Sequence, residues 1–335
     1  MPISQHRFHE AARFVSKWRR PLILTHAKPD GDAIGSVAAV RRWLEKADAR
    51  PMVALFDPVP PRFQILERAL GVLHKDVREQ ELETCDGIII LDTCSFSQLE
   101  PLEPWLKSSR QPKLVVDHHR TRDAVADLEL IDEPAAATCL ILFDWARAVG
   151  WTLDEKTADA LFVGIATDTG WFRHANTDTR ALRAAADLID AGAGAQQLHQ
   201  AIYLSESPGR VRLLTAALNS LELSAAGRLA IMSLRERDFT HAGATLSDTE
   251  DIVNEPLRIA SVVVSTLLVE QEESLIRVNF RSKPPHSPSV KNVDVSVIAA
   301  EFGGGGHSRA AGARIAQPLR HALASVTKRL LAELS

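Results

Sequence analysis

Cysteine is scarce: Cys85, Cys94 and Cys139 are the only three in 335 residues, and none forms a Cys-x-x-Cys pair. An odd, scattered set argues against a disulfide framework and fits a reducing compartment, so a cytoplasmic location is expected. Long hydrophobic runs are also missing. The longest, Ile259–Val269, is interrupted by Ser and Thr and is too short to cross a bilayer, so no membrane association is expected. The first fourteen residues carry His6, Arg7, His9 and Glu10, which rules out the apolar core of a secretory signal. Neither sign of charge dominates. The net charge is −4, and from residue 216 onward 13 Lys and Arg balance 13 Asp and Glu. A protein that tracks long nucleic acid displaces counterions with a basic stripe, and none is visible. Any phosphate ligand should therefore be short.

At 335 residues the chain exceeds one comfortable core, so two domains are expected. Four apolar runs read as buried strands: Pro21–Thr25, Met52–Phe56, Gly87–Leu91 and Lys113–Val116. Ile34–Lys46, between the first two, has the 3.6-residue period of a helix. Strand–helix alternation points to a parallel sheet with helices on both faces. A mostly helical region follows, over Ala135–Val149, Asp154–Ala166 and Thr179–Ala191, and Ser205–Leu223 reads as a helical connector and hinge. Beyond it, Leu229–Leu234, Ser261–Glu270 and Ser274–Phe280 read as strands of a smaller α/β domain, with helices at Asp294–Glu301 and Pro318–Leu334. The Pro-rich stretch Lys283–Asn292 reads as an exposed loop. The expected organisation is 1–195, a linker over 196–222, and 223–335.

In parallel α/β sheets, ligands sit outside the carboxyl ends of the strands. His26, Asp30 and Asp32 fall there after the first run, Asp92 after the third, and Asp117, His118 and His119 after the fourth. Asp168 ends a helical stretch. Acids mixed with imidazoles suit Mn²⁺, Mg²⁺ or Zn²⁺, and segments converging in this way can hold two cations about 3.5–4 Å apart. Asp92, alone at its strand end, is the candidate bridge. Taken singly, each piece has a plainer reading: Pro-Asp-Gly-Asp as a turn, and Asp32 or Asp92 as a helix cap. Jointly, each piece ends an element, and the sheet rule brings three of them together.

His26-x-x-Pro29-Asp30-Gly31-Asp32, Asp92, Asp117-His118-His119 and Thr167-Asp168-Thr169-Gly170 resemble, in order, the four motifs of the DHH phosphoesterases. The resemblance implies that His26 and Asp30 bind one Mn²⁺ and that Asp32, His118 and Asp168 bind the other, with Asp92 bridging. Mg²⁺ is the alternative metal. It also implies that Asp117 orients an imidazole, and that His119 faces the substrate phosphate or the leaving oxygen as a donor.

Phe302-Gly303-Gly304-Gly305-Gly306-His307, followed by Ala310-Ala311-Gly312, fits neither a dinucleotide fingerprint nor a P-loop. Alone it reads equally as a flexible turn or as a backbone cradle for an anion. It resembles the closing motif of the DHHA1 domain, which holds the non-scissile end of a nucleotide, and Asn279-Phe280-Arg281-Ser282 resembles another motif of that domain. The implied substrate-side residues are Arg281, Ser282, Gly305, Gly306, His307 and His119, with Arg258 and Arg309 as weaker candidates.

The likeness runs from about His26 to Gly312. It implies the two-domain oligoribonuclease and nucleoside-bisphosphate phosphatase branch, acting on short RNA or DNA oligonucleotides or on 3′-phosphoadenosine 5′-phosphate, and a homodimer. The alternatives are an exonuclease on longer single strands and a nucleotide sensor that binds without cleaving.

Overall fold

The structure is a computed structural model, and it describes residues 3–66, 82–272, 274–284 and 292–335. Most of the expected loop Lys283–Asn292 lies outside these residues. The chain divides into two compact units between Ser205 and Glu206.

The first unit is built on a five-stranded, wholly parallel sheet: β1 (Leu22–Thr25), β2 (Met52–Ala54), β3 (Ile88–Leu91), β4 (Lys113–Asp117) and β5 (Leu128–Ile131), in the order β2-β1-β3-β4-β5. Side chains alternate between the two faces of a strand. Ile23, Ile89, Leu91, Leu114 and Val116 enter one apolar cluster, while Leu22, Leu24, Ile88, Ile90 and Val115 enter another. Both faces are covered, which is why these strands read as unbroken apolar runs. The first cluster lies under α1 (Gln5–Val15), α2 (Gly31–Lys46) and four later helices. The second is closed by Leu82, Leu99 and Leu106, the last on the short α3 (Glu103–Ser108). The strand order reverses between β1 and β3, so the crevice at their carboxyl ends is where an open α/β sheet takes its ligand.

The helical region comprises α4 (Thr138–Val149), α5 (Glu155–Asp168), α6 (Thr179–Asp190) and α7 (Ala195–Tyr203). Local chemistry sets its boundaries. Asp154 and Asp178 cap α5 and α6 by accepting from Thr157 and Ala181 amides, and Gly150 ends α4 in the left-handed conformation at φ 74°. The expected 196–222 linker holds two helices. α7 packs Leu198 and Ile202 into the first unit, whereas α8 (Pro208–Asn219) buries Leu213 and Ala217 in the second. Pro208 at the first helical position and Ser207 as its cap start α8 afresh.

The second unit holds a mixed six-stranded sheet in the order β10-β11-β9-β8-β7-β6. Its strands are β6 (Glu222–Ser224), β7 (Leu229–Leu234), β8 (Val264–Glu272), β9 (Leu275–Ser282), β10 (Gly305–His307) and β11 (Ala310–Ile315). Between them lie α9 (Glu236–Ala242) and α10 (Val295–Glu301), and α11 (Leu319–Leu334) closes the unit. β9 alternates partly exposed and buried residues along its length, with Ile276, Val278 and Phe280 facing a core shared with Ile298 of α10 and Val326 and Leu330 of α11.

Candidate metal centre

Three acids of the first unit, Asp30, Asp32 and Asp117, accept hydrogen bonds from backbone amides. Asp30 caps α2, its Oδ1 accepting from the amides of Asp32 at 3.0 Å and Ala33 at 3.1 Å. Asp32, one residue into α2, is fully buried and accepts from the first amides of α4: Thr138 N to Oδ2 at 2.6 Å and Cys139 N to Oδ1 at 2.9 Å. Ala137, at the cap position of α4, offers no side-chain acceptor, so Asp32 caps that helix from a distant part of the chain. Close helix packing requires glycine here. A Cβ on Gly31 would lie 2.3 Å from Thr167 Oγ1, and one on Gly164 would lie 2.7 Å from Asp32 Oδ1. The start of α2 therefore meets the end of α5, and Asp168 arrives beside Asp32.

Asp92 leaves β3 with φ 62°, a left-handed conformation that Asp tolerates better than most residues, and its amide donates to Val116 O at 3.0 Å. Its carboxylate faces two ways. Oδ2 lies 3.4 Å from His26 Nε2, while Oδ1 lies 3.6 Å from His118 Nε2. Asp168 Oδ2 lies 3.3 Å from the same His118 nitrogen.

His118 donates its Nδ1–H to Ala135 O at 3.1 Å. That bond fixes the tautomer and leaves the Nε2 lone pair aimed at the acids. Asp117, buried at the end of β4, orients His119 rather than His118. Its Oδ1 accepts from His119 Nδ1 at 2.7 Å and from the amides of His118 and His119 at 2.8 and 3.1 Å. The ring of His119 is half exposed.

Donor atoms of His26, Asp30 and Asp92 lie within 4.8 Å of one another, as do those of Asp32, His118 and Asp168, and those of Asp92, His118 and His119. The electrostatics suit cations. Burial, then the neighbouring Asp32, Asp30 and Asp168, push the Asp92 carboxyl well above its usual range, and burial likewise raises Asp32. Burial, Asp32 and Asp30 push Asp168 up to about 9. Burial lowers His26, favouring the neutral imidazole that a metal needs, while the Asp117 hydrogen bond raises His119 and favours its charged form. A buried cluster of acids aimed at one crevice, with two imidazole lone pairs among them, is a donor set for divalent ions.

In the second unit, Arg281 pairs in register with Ala310, and Gly305, Gly306 and His307 form the exposed edge strand β10. A Cβ on Gly306 would lie 2.6 Å from Ala310 O, whereas one on Gly305 meets nothing within 4 Å. Gly306 is thus explained by the hairpin, and Gly305 is open to an approaching ligand. Arg281 is half-buried, its guanidinium donates to Phe280 O at 3.0 Å, and burial lowers its pKa. Two of the expected substrate-side residues make hydrogen bonds within the unit. Ser282 is buried with its hydroxyl committed to Val293 O at 2.8 Å, and Arg309 ties down Lys283 O at 2.8 Å and the Asn292 side chain. Both hold the chain together, because two adjoining segments of backbone carbonyls need donors there. Arg258 is 82% exposed and pairs with Glu255 at 3.2 Å.

Family models place a DHH N-terminal domain over residues 20–165 and a DHHA1 domain over residues 227–334. The bifunctional oligoribonuclease and PAP phosphatase NrnA of Thermus thermophilus is 31% identical over 320 residues, covering 92% of this chain and 90% of that one. This chain belongs to the DHH family of phosphoesterases. The Bacillus subtilis protein of the same name is 26% identical over 310 residues, covering 91% of this DHH protein and 92% of its own length. An exopolyphosphatase-related protein from Bacteroides fragilis superposes with a TM-score of 0.88 over 99% of this chain and 96% of that one. At 23% identity that likeness speaks for the fold alone. No helix among the described residues is long and apolar enough to cross a membrane.

Thr138, Cys139 and Ala135, which hold the acids and His118, escape a sequence reading because backbone groups carry no motif. The one signal is a helix that opens after three alanines with no cap of its own.

The raised carboxyl groups fix a linkage. Without cations the folded protein keeps protons that the unfolded chain releases near pH 4, so its stability should fall as pH rises from about 4 towards 9. Thermal melts across this range should show that slope, and saturating Mn²⁺ should raise the melting temperature and flatten it.

Proposed function

We propose that this DHH protein hydrolyses short oligonucleotides to mononucleotides, and 3′-phosphoadenosine 5′-phosphate to AMP, with the help of two divalent cations, manganese first and magnesium second. The observation that carries the reading is the two-way Asp92 carboxylate, with Oδ2 towards His26 and Oδ1 towards His118. His26 and Asp30 would hold one cation, and Asp32, His118 and Asp168 the other. When bound, such a pair neutralises phosphate charge and lowers the pKa of a bound water.

The remaining steps belong to the chain. Asp117 holds His119 so that its outer nitrogen can protonate the leaving oxygen. Asp32, anchored on the start of α4, keeps its oxygens from following a substrate that binds and leaves. Arg281, His307 and the open backbone at Gly305 would hold a phosphate or sugar. The balanced charge of the chain favours short substrates over long polyanions. The names carried by the Thermus and Bacillus relatives favour the same chemistry.

Hydrolysis of a labelled RNA dinucleotide, a 24-mer and 3′-phosphoadenosine 5′-phosphate, compared with Mn²⁺ present, tests this reading. Fast turnover of the two small substrates and poor cleavage of the 24-mer is the expected result. Preference for the 24-mer would mean a long-strand exonuclease, and binding without any cleavage would mean a sensor. Asp92→Ala should lower turnover by more than the ~100-fold typical of groups that merely support a metal ligand.

Gly305→Val should raise KM for the dinucleotide while leaving the melting temperature unchanged, because no protein atom occupies that space. An unchanged KM would remove the glycine strand from substrate binding.

A further inference from the structure

The geometry points to Thr138 as a positioning residue that sets the rotation of the Asp92 carboxylate, and so determines whether one carboxylate can serve both cation positions. The inference rests on the two-cation reading above and adds a residue that none of the motifs contains. Thr138 is fully buried at the first position of α4. Its hydroxyl donates to Asp92 Oδ1 at 2.9 Å, and its backbone amide donates to Asp32 Oδ2 at 2.6 Å. One residue therefore ties the candidate bridge to an acid of the second cation position.

Asp92 needs such a tie. The torsion that turns a carboxylate about its Cβ–Cγ bond has broad, shallow preferences, so local conformation does not fix it. A quarter turn would take Oδ2 away from His26 and Oδ1 away from His118 together. Among the described residues, the Thr138 hydroxyl is the one hydrogen-bond donor on that carboxylate. The hydroxyl is not needed by the helix. The first amides of α4 are satisfied by Asp32, so the Thr138 side chain caps nothing. Threonine also suits the task because its branched Cβ restricts χ1 and the hydroxyl keeps its direction. The chemical character of the bond matters too. A neutral hydroxyl donor orients a carboxylate without cancelling its charge, whereas a buried Lys or Arg there would compete with the cations.

The substitution Thr138→Val keeps the shape and removes the donor, and Thr138→Ser keeps the donor. Mn²⁺ binding is followed by calorimetry, and by electron paramagnetic resonance, in which two Mn²⁺ ions bridged by one carboxylate give an exchange-coupled spectrum. Melting temperatures in cation-free buffer report on the fold of each variant, and Thr138→Ala replaces the valine variant should that one fail to fold. The expected result is a wild-type protein with two Mn²⁺ and a coupled spectrum. The valine or alanine variant should lose about 10–100-fold in affinity for at least one ion, together with the coupled signal. The serine variant should recover both. Wild-type affinity and coupling in Thr138→Val would overturn the inference while leaving the two-cation reading intact. Equal impairment in Thr138→Ser would overturn it as well, because packing rather than the hydroxyl would then be responsible. A wild-type protein that binds no Mn²⁺ pair would remove the two-cation reading and this inference with it.

Discussion

Carboxylates repel one another, and this fold gathers Asp30, Asp32, Asp92, Asp117 and Asp168 at one end of a sheet, three of them buried. Such a cluster is stable only with protons or cations to neutralise it. Much of the first unit is arranged around that constraint. The reversal of strand order opens the crevice between β1 and β3. The start of α4 points its amides at Asp32, the glycines of α2 and α5 allow those helices to close on it, and Ala135 turns His118 towards the acids. Each of these devices is a backbone group or a missing side chain, and none of them titrates.

That arrangement suits phosphoryl chemistry. The reaction asks the protein mainly to hold charges in place, since little covalent work falls to its side chains. His119 is half exposed beside a buried Asp117. The first unit concentrates acids and imidazoles beyond the ends of its strands.

How much of this was legible in the sequence follows from the same physics. β1 to β4 announce themselves because both faces of the sheet are covered, which demands unbroken apolar runs. β5 did not, since Leu128–Ile131 is an edge strand with alternating burial and a glutamate within it. β10 and β11 were missed for another reason. Gly305–His307 and Ala310–Ile315 are rich in glycine and alanine and have little strand propensity, and they are extended because β9 pairs with β11 and β11 in turn with β10. The convergence of the acids and imidazoles was legible because they lie just beyond the ends of β1, β3 and β4 and at the end of α5. The hydrogen bonds of Ser282 and Arg309 were not, because a motif gives residue types, and only packing shows where their donors go. The start of α8 at Pro208, rather than at Ser205, was not legible because Ser207 and Pro208 punctuate the chain only weakly.

Anomalous diffraction from crystals grown with Mn²⁺ would show whether Asp92 lies between the two proposed cations. Two manganese peaks about 3.5–4 Å apart are expected, one against His26 and Asp30, the other against Asp32, His118 and Asp168, with one oxygen of Asp92 on each. A single peak, or two peaks neither of which touches Asp92, would contradict the proposal.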